Sequence, residues 1–207
     1  DAGNYALQNT SATAQAKITA KALTAAVTAG DKTYDGNNTA SVTGSSGDII
    51  GTDKVSIGAG AATFNDKNVA RDGNGTVIGK TVTATGLSLS GDDAGNYALQ
   101  NTSATAQAKI LAKNAKITGM ATNVIYNGTS QTQSAAVLAG FIDSDVSGGS
   151  VLATGLASGR NGGTYTSNLA VSGSDAGNYN VTINNADLII NKACLLYTSP
   201  SPRDAHE

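Results

Sequence analysis

The sequence predicts an all-β protein made of tandem small β-sheet modules. Three observations predict it. Apolar residues alternate with a period of two rather than 3.6, turn-forming Gly, Asn, Asp and Ser cluster between the alternating runs, and one eighteen-residue string occurs twice. Lys80–Gly91 shows the alternation best: Val82 and Ala84 against Thr81 and Thr83, then Leu87 and Leu89 against Ser88 and Ser90, with Gly86 marking a bulge or register change. Lys54–Gly58, Leu23–Ala29 and Ser41–Gly44 are shorter strand candidates, and Asn180–Ile190 reads as two strands broken at Asn184 and Asn185. Ala12–Ala22 is rich in alanine, but Thr and Ile interrupt it and no cap precedes it, so a strand running into a short linker is expected rather than a helix. About seven short strands per module favour an immunoglobulin-like sandwich, with a β-grasp-like module as the alternative.

The repeat sets the organisation. Residues 1–18, DAGNYALQNTSATAQAKI, recur unchanged at 93–110, and a diverged copy, DAGNYNVTINNADLII, begins at Asp175. A second landmark keeps the same spacing of 92 residues: TYDGNNT from Thr33 is answered by IYNGTSQ from Ile125. The expected divisions are 1–22 as the C-terminal remnant of a preceding repeat, 23–113 as one module and 114–193 as a second.

Five of the seven tyrosines fall on these landmarks: Tyr5, Tyr97 and Tyr179 in GNY, then Tyr34 and Tyr126 in YDG and YNG. A large ring with a polar tip is buried at low cost only when its hydroxyl finds a partner. Recurrent placement in a chain with 4% aromatics marks them as core anchors, and Asp35-Gly36 and Asn127-Gly128 supply the positive φ of a tight hairpin turn. Phe64 and Phe141 are expected to complete the two cores.

Composition excludes several classes of function. A net charge of −2 gives no electrostatic attraction to nucleic acid or to an anionic membrane, and no apolar run is long enough to span a bilayer. Residues 1–193 contain no Cys, His, Glu, Pro or Trp, so zinc ligation and the Ser-His-Asp or Cys-His sets are excluded there and no enzyme is expected. No cofactor is expected either. Calcium remains conceivable at Asp31, Asp35 and Asn37, at Asp66, Asp72 and Asn74, or at Asp92 and Asp93, although Asp and Asn also suit turns for local reasons. Lys21, Lys113 and Lys192 stand where modules meet and could pair with an acid there. The N-x-S/T sequons at Asn9, Asn37, Asn74, Asn101, Asn127 and Asn180 are coincidental in a chain this rich in Asn and Thr.

Cys194, Pro200, Pro202, His206 and Glu207 all lie in the last fourteen residues. The string CLLYTSPSPRD, Cys194–Asp204, resembles the translation of a transposon-end adapter used for sequencing libraries, with Ala205–Glu207 as read-through. Such a scar stands outside fold reasoning. Both ends of the chain are therefore expected to be cuts in a longer protein.

KTYDGNNTA followed by ATFNDKNVARDGNGTVIGKTVTATGLSLSGDDAGNYAL resembles the YDG repeat of large bacterial surface and secreted proteins. NVIYNGTSQTQ through GGTYTSNLAVSGSDAGNYNVTI is similar to the related MBG-type repeat, with YNG in place of YDG and without the FNDKNV stretch. The resemblance covers nearly all of residues 1–193. It implies mostly-β modules arrayed in filamentous-haemagglutinin-like adhesins at the cell surface or outside the cell. The expected function is a stalk whose partners are the neighbouring repeats, spacing a binding region from the cell. One alternative is direct binding of a host or surface glycan or protein by the loops Ser45–Gly51 and Asp143–Ser150; another is an accessory segment of a large secreted enzyme.

Overall fold

A computed structural model describes residues 1–195. Of the expected adapter stretch only Cys194 and Leu195 fall among them, both exposed; Leu196–Asp204 and Ala205–Glu207 lie outside the described residues. The all-β class holds: among the described residues short strands dominate, and the helical pieces are three single 3-10 turns and one five-residue helix.

The strands of the first repeat are β1 (Lys21–Leu23), β2 (Ala26–Ala29), β3 (Lys32–Thr33), β4 (Val42–Ser45), β5 (Ser56–Gly58), β6 (Ala61–Phe64), β7 (Lys80–Thr85), β8 (Ser88–Ser90), β9 (Tyr97–Leu99), β10 (Ser103–Ala108) and β11 (Ile110–Leu111). The second repeat follows with β12 (Lys113–Thr118), β13 (Thr122–Ile125), β14 (Gln131–Thr132), β15 (Val137–Ala139), helix α1 (Asp143–Ser147), β16 (Leu152–Thr154), β17 (Ser158–Gly159), β18 (Gly163–Thr166), β19 (Ala170–Ser172), β20 (Tyr179–Asn184) and β21 (Asp187–Asn191). The expected break at Asn184 and Asn185 is present between β20 and β21. Gly86 takes φ +64° between β7 and β8 and ends the first of them.

By contacts the chain forms two compact units. One holds Asp1–Ala29, Ser41–Ala62 and Thr83–Ala106; the other holds Gly30–Ala40, Thr63–Val82 and the described residues from Gln107. These units do not follow the sequence repeats, because parts of the first repeat pack with the second.

In the first unit β1 pairs in parallel with β9, while β2 pairs antiparallel with β4 and β5 with β8. Its core is lean. Leu23, Ala25, Val27, Ala84, Leu87 and Tyr97 are buried, and two of the six are alanines, which remove little apolar area from water. In the second unit β3 pairs in parallel with β11. There β12 lies between antiparallel β15 and parallel β20, and β21 lies between parallel β13 and antiparallel β18. Tyr34, Phe64, Ile110, Ile117, Leu188 and Ile190 lie at 2% exposure or less. Phe141 is half-buried. The parallel pairs between early and late strands depart from a purely antiparallel sandwich and suit the grasp-like alternative.

Residues 1–18 contain one 3-10 turn and no strand, and all are exposed, so the strand expected across Ala12–Ala22 forms only from Lys21. Tyr5 is 85% exposed and anchors nothing, which corrects its expected role; no buried face is built beneath it.

Candidate functional site

The two tyrosine turns occupy equivalent places, each just after a strand in a parallel pair. The Tyr34 amide donates to the Leu111 carbonyl at 2.8 Å, and the Tyr126 amide donates to the Asn191 carbonyl at 2.8 Å. Gly36 and Gly128 both have φ +82°, a conformation that costs glycine nothing. Asp35 and Asn127 each accept the amide two residues on, from Asn37 at 3.2 Å and Thr129 at 3.0 Å. These are Asx turns. They are not the hairpins expected, because β3 pairs with β11 and β4 with β2.

Burial separates the two. Tyr34 is 1% exposed, whereas Tyr126 is 40% exposed. Tyr126 is thus no core anchor; among the described residues none covers it as the second repeat covers Tyr34. The Tyr34 hydroxyl donates to Asp145 Oδ2 at 3.0 Å, and the Tyr179 hydroxyl donates to the same oxygen at 2.6 Å. The Ile142 amide donates to the Tyr179 hydroxyl oxygen at 3.1 Å. The rings of Tyr34 and Tyr179 meet edge to face at 5.4 Å, and Phe141 packs against Tyr179 at 4.8 Å. Asp145 is 4% exposed. A carboxylate so buried is tolerable only because both phenols and a nearby cation answer its charge.

That cation is Lys67. Its ammonium lies 3.0 Å from Asp175 Oδ2, 3.9 Å from Asp145 Oδ1, and 5.9 Å from the centre of the Tyr34 ring. Alongside, Asn178 Oδ1 accepts the Val69 amide at 2.9 Å, and Asn178 Nδ2 donates to Asn68 Oδ1 at 3.0 Å. The FNDKNV loop that carries these residues is held by buried Lys80. Its ammonium donates to Asp66 Oδ1 at 2.5 Å, to the Asp66 carbonyl at 3.1 Å and to the Asn68 carbonyl at 2.7 Å, which satisfies all three donors.

Protonation follows this arrangement. Burial pushes the Tyr34 and Tyr179 hydroxyls up, and hydrogen bonding to anionic Asp145 pushes them further the same way. Burial works against the Asp175 carboxylate, but Ser150 and Lys67 prevail and hold it below the usual carboxylate range. The hydrogen bond to Asp175 raises Lys67 above its ordinary value. These directions keep Tyr34, Tyr179 and Lys67 protonated and Asp175 ionised through neutral pH, which preserves the hydrogen bonds and the ion pair that hold the first repeat to the second.

The first repeat carries half of the same arrangement in the other unit. The Tyr97 hydroxyl donates to Asp53 Oδ2 at 2.6 Å, and the Ile50 amide donates to the Tyr97 hydroxyl oxygen at 2.9 Å. Ile50 and Asp53 stand 92 positions before Ile142 and Asp145, the spacing of the identical string.

Of the landmark residues, Tyr34, Tyr97 and Tyr179 enter these clusters through their hydroxyls, and Asp35, Gly36, Asn127 and Gly128 shape the turns. Sequence reasoning missed Asp145, Lys67, Asp175 and Asn178. The Asp143–Ser150 loop, the alternative ligand-contacting loop, turns Asp145 inward to two tyrosines, while Asp143, Ser144 and Val146–Gly149 remain exposed. The spacing of 92 was the available signal for Asp145. The cation at the contact between repeats is Lys67; among the described residues Lys21, Lys113 and Lys192 form no ion pair. Carboxylates at the suggested calcium positions are taken up by the chain itself: Asp72 Oδ1 accepts the amides of Asn74 and Thr76, Asp66 Oδ1 accepts Asn68 and Lys80, Asp31 Oδ1 accepts the Lys109 amide, and Asp93 Oδ2 accepts the Lys54 amide. Among the described residues no three acidic, His or Cys side chains converge, and no helix is long and apolar enough to cross a membrane.

The contact joins one small β module to the next through polar side chains buried at its centre. A family model described as the YDG domain matches residues 19–106, so a YDG domain is present there and Tyr34-Asp35-Gly36 lies within it. Neither the curated proteins nor the solved structures yield a significant match.

Proposed function

We propose that this chain is a run of spacer repeats from a large bacterial surface or secreted adhesin, and that it presents a binding region carried elsewhere. The observation that supports the reading is the buried contact of Tyr34 with Asp145 and Tyr179. Among the described residues, Tyr34, Asp145 and Tyr179 are buried where one repeat holds the next, so these groups are closed to a ligand. The repeat pattern agrees, since arrays whose modules contact only their neighbours can change length without refolding. On this reading residues 114–193 are an MBG-type relative of the YDG domain, the protein acts outside the cell, and it catalyses nothing. The stretch from Cys194 is read as adapter-derived, which long-read sequencing across the Ala193 codon tests.

Glycan and host-protein arrays probed with the full chain test the function. No reproducible binding is expected. Binding that disappears when Ser45–Gly51 or Asp143–Ser150 is replaced would overturn the spacer reading in favour of direct recognition, which loops on rigid β scaffolds often provide.

A further inference from the structure

We propose that Asp53, Tyr97, Ile50 and Asn96 form a socket for the tyrosine–Asp/Asn–glycine turn of another repeat of this kind, and that Tyr126-Asn127-Gly128 is the matching plug. The inference rests on the spacer reading and names the partner surface that such an array uses.

The occupied example lies within the chain. Around Tyr34, four residues of the second repeat receive the first: Asp145 and Tyr179 meet its hydroxyl and ring, Ile142 lies where a Cβ on Gly36 would sit 3.5 Å from its Cδ1, and Asn178 holds Asn68 and Val69. Each has a counterpart in the first repeat by position in the repeat: Asp53, Tyr97, Ile50 and Asn96. The inner half of the socket is already assembled, because Tyr97 donates to Asp53 and accepts from Ile50 as Tyr179 does with Asp145 and Ile142. The outer half is open. Ile50 is 57% exposed where Ile142 is half-buried, and Asn96 is exposed where Asn178 is 3% exposed. Asp53 is half-buried where Asp145 is buried. Asp53 retains room for a second phenol donor, since a carboxylate offers about four lone-pair sites.

The plug shows the same relation at the other landmark. Tyr126 has the backbone hydrogen bond, the Asx turn and the glycine φ of Tyr34, with 40% of its surface exposed in place of 1%. The occupant is thus defined chemically: a phenol to donate to Asp53, a ring to meet the edge of Tyr97, and a glycine whose positive φ turns the chain beside Ile50. The second repeat lacks the FNDKNV stretch, so Tyr126 enters without a Lys67 equivalent, and a separate copy of this chain binds more weakly than a tethered repeat.

A tethered neighbour acts at an effective concentration in the millimolar range, so a separate copy is supplied at about 1 mM. Isotope-labelled full chain carrying Tyr126→Ala retains the socket and lacks the plug. Mixed with unlabelled wild-type chain at about 1 mM, it should show amide shifts centred on Ile50, Asp53 and Asn96. Mixed with unlabelled Tyr126→Ala chain, it should show none. Placing Asn96→Ala in the labelled chain should weaken the response; both variant positions are exposed, so folding is not at stake. Absence of shifts with the wild-type partner, or equal shifts with both partners, overturns the proposal. That failure would leave the spacer reading standing for repeats joined only by their linkers, whereas ligand binding on the arrays would defeat the spacer reading and leave these shifts unexplained by it.

Discussion

Removing one oxygen atom, by Tyr34→Phe, isolates the hydroxyl from everything else in the contact. The ring stays, so the edge-to-face pair with Tyr179 at 5.4 Å, worth about 0.5–1.5 kcal/mol, is kept. What is lost is a buried hydrogen bond of 3.0 Å to a carboxylate. Bonds to charged groups contribute about 1.5–3 kcal/mol, and Asp145 is too buried to recover the partner from water. Tyr179 still donates to the same oxygen, which places the expected loss at the lower end, about 1.5–2 kcal/mol. For a chain of 207 residues, at about 2–4 °C per kcal/mol, that lowers Tm by roughly 3–8 °C. Calorimetry on the full chain reads it, with Tyr126→Phe as the matched control. That substitution removes the same atom from an exposed ring and should change stability by less than about 0.5 kcal/mol. A Tyr34→Phe chain within about 0.5 kcal/mol of wild type, or one no different from Tyr126→Phe, would refute the view that this hydroxyl holds the repeats together.

Stability should fall at both ends of the pH scale. Tyr34, Tyr179 and Lys67 are raised in the fold, so their contribution is complete below their unfolded values near pH 10 and is lost as pH climbs through the folded values. Asp175, Asp66 and Asp35 are lowered, so their contribution is present above about pH 3.8 and is lost as pH drops through the folded values. Denaturant titrations across pH check both limbs, and Tyr34→Phe should flatten the alkaline one. Lys80→Met should cost about 1–3 kcal/mol, because it strands two carbonyls while half-exposed Asp66 can regain water. Exchange protection should drop first in the Asp66–Val69 loop, and unchanged protection there would contradict its role as that loop's anchor.

The identical string shows how much of this could be read in advance. Residues 11–16 and 103–108 are the same six residues, yet only the second set forms a strand. Ile18 is fully exposed, while Ile110, its copy, is 0% exposed, and Tyr5 and Tyr97 differ in the same way. Local propensity is equal in each pair by construction, so the difference belongs to what packs against them. Period-two patterning identified the β7 face, where Lys80, Val82 and Ala84 are buried in alternation. It also foresaw the break between β20 and β21. Helix α1 escaped notice because five residues carry too little periodicity to register. Lys67 and Asn178 escaped because their partners lie more than a hundred residues away, a separation no local pattern reports. The tyrosines were legible as landmarks, but their burial depends on what packs on them: Tyr97 is covered within its own repeat, and Tyr34 by the next one.

The Tyr34 contact also bears on how such genes can change length. On the spacer reading, each repeat brings one phenol for the module after it, as Tyr34 does, and one carboxylate for the module before it, as Asp145 does, so deleting or duplicating a whole repeat by recombination would leave donors and acceptors matched across every junction. An exchange whose breakpoints fall out of register within the repeat would bury a carboxylate like Asp145 beside a missing phenol, at a cost of about 1–3 kcal/mol or more for each orphaned group. Length variants that survive should therefore differ by whole repeats, with their breakpoints in register.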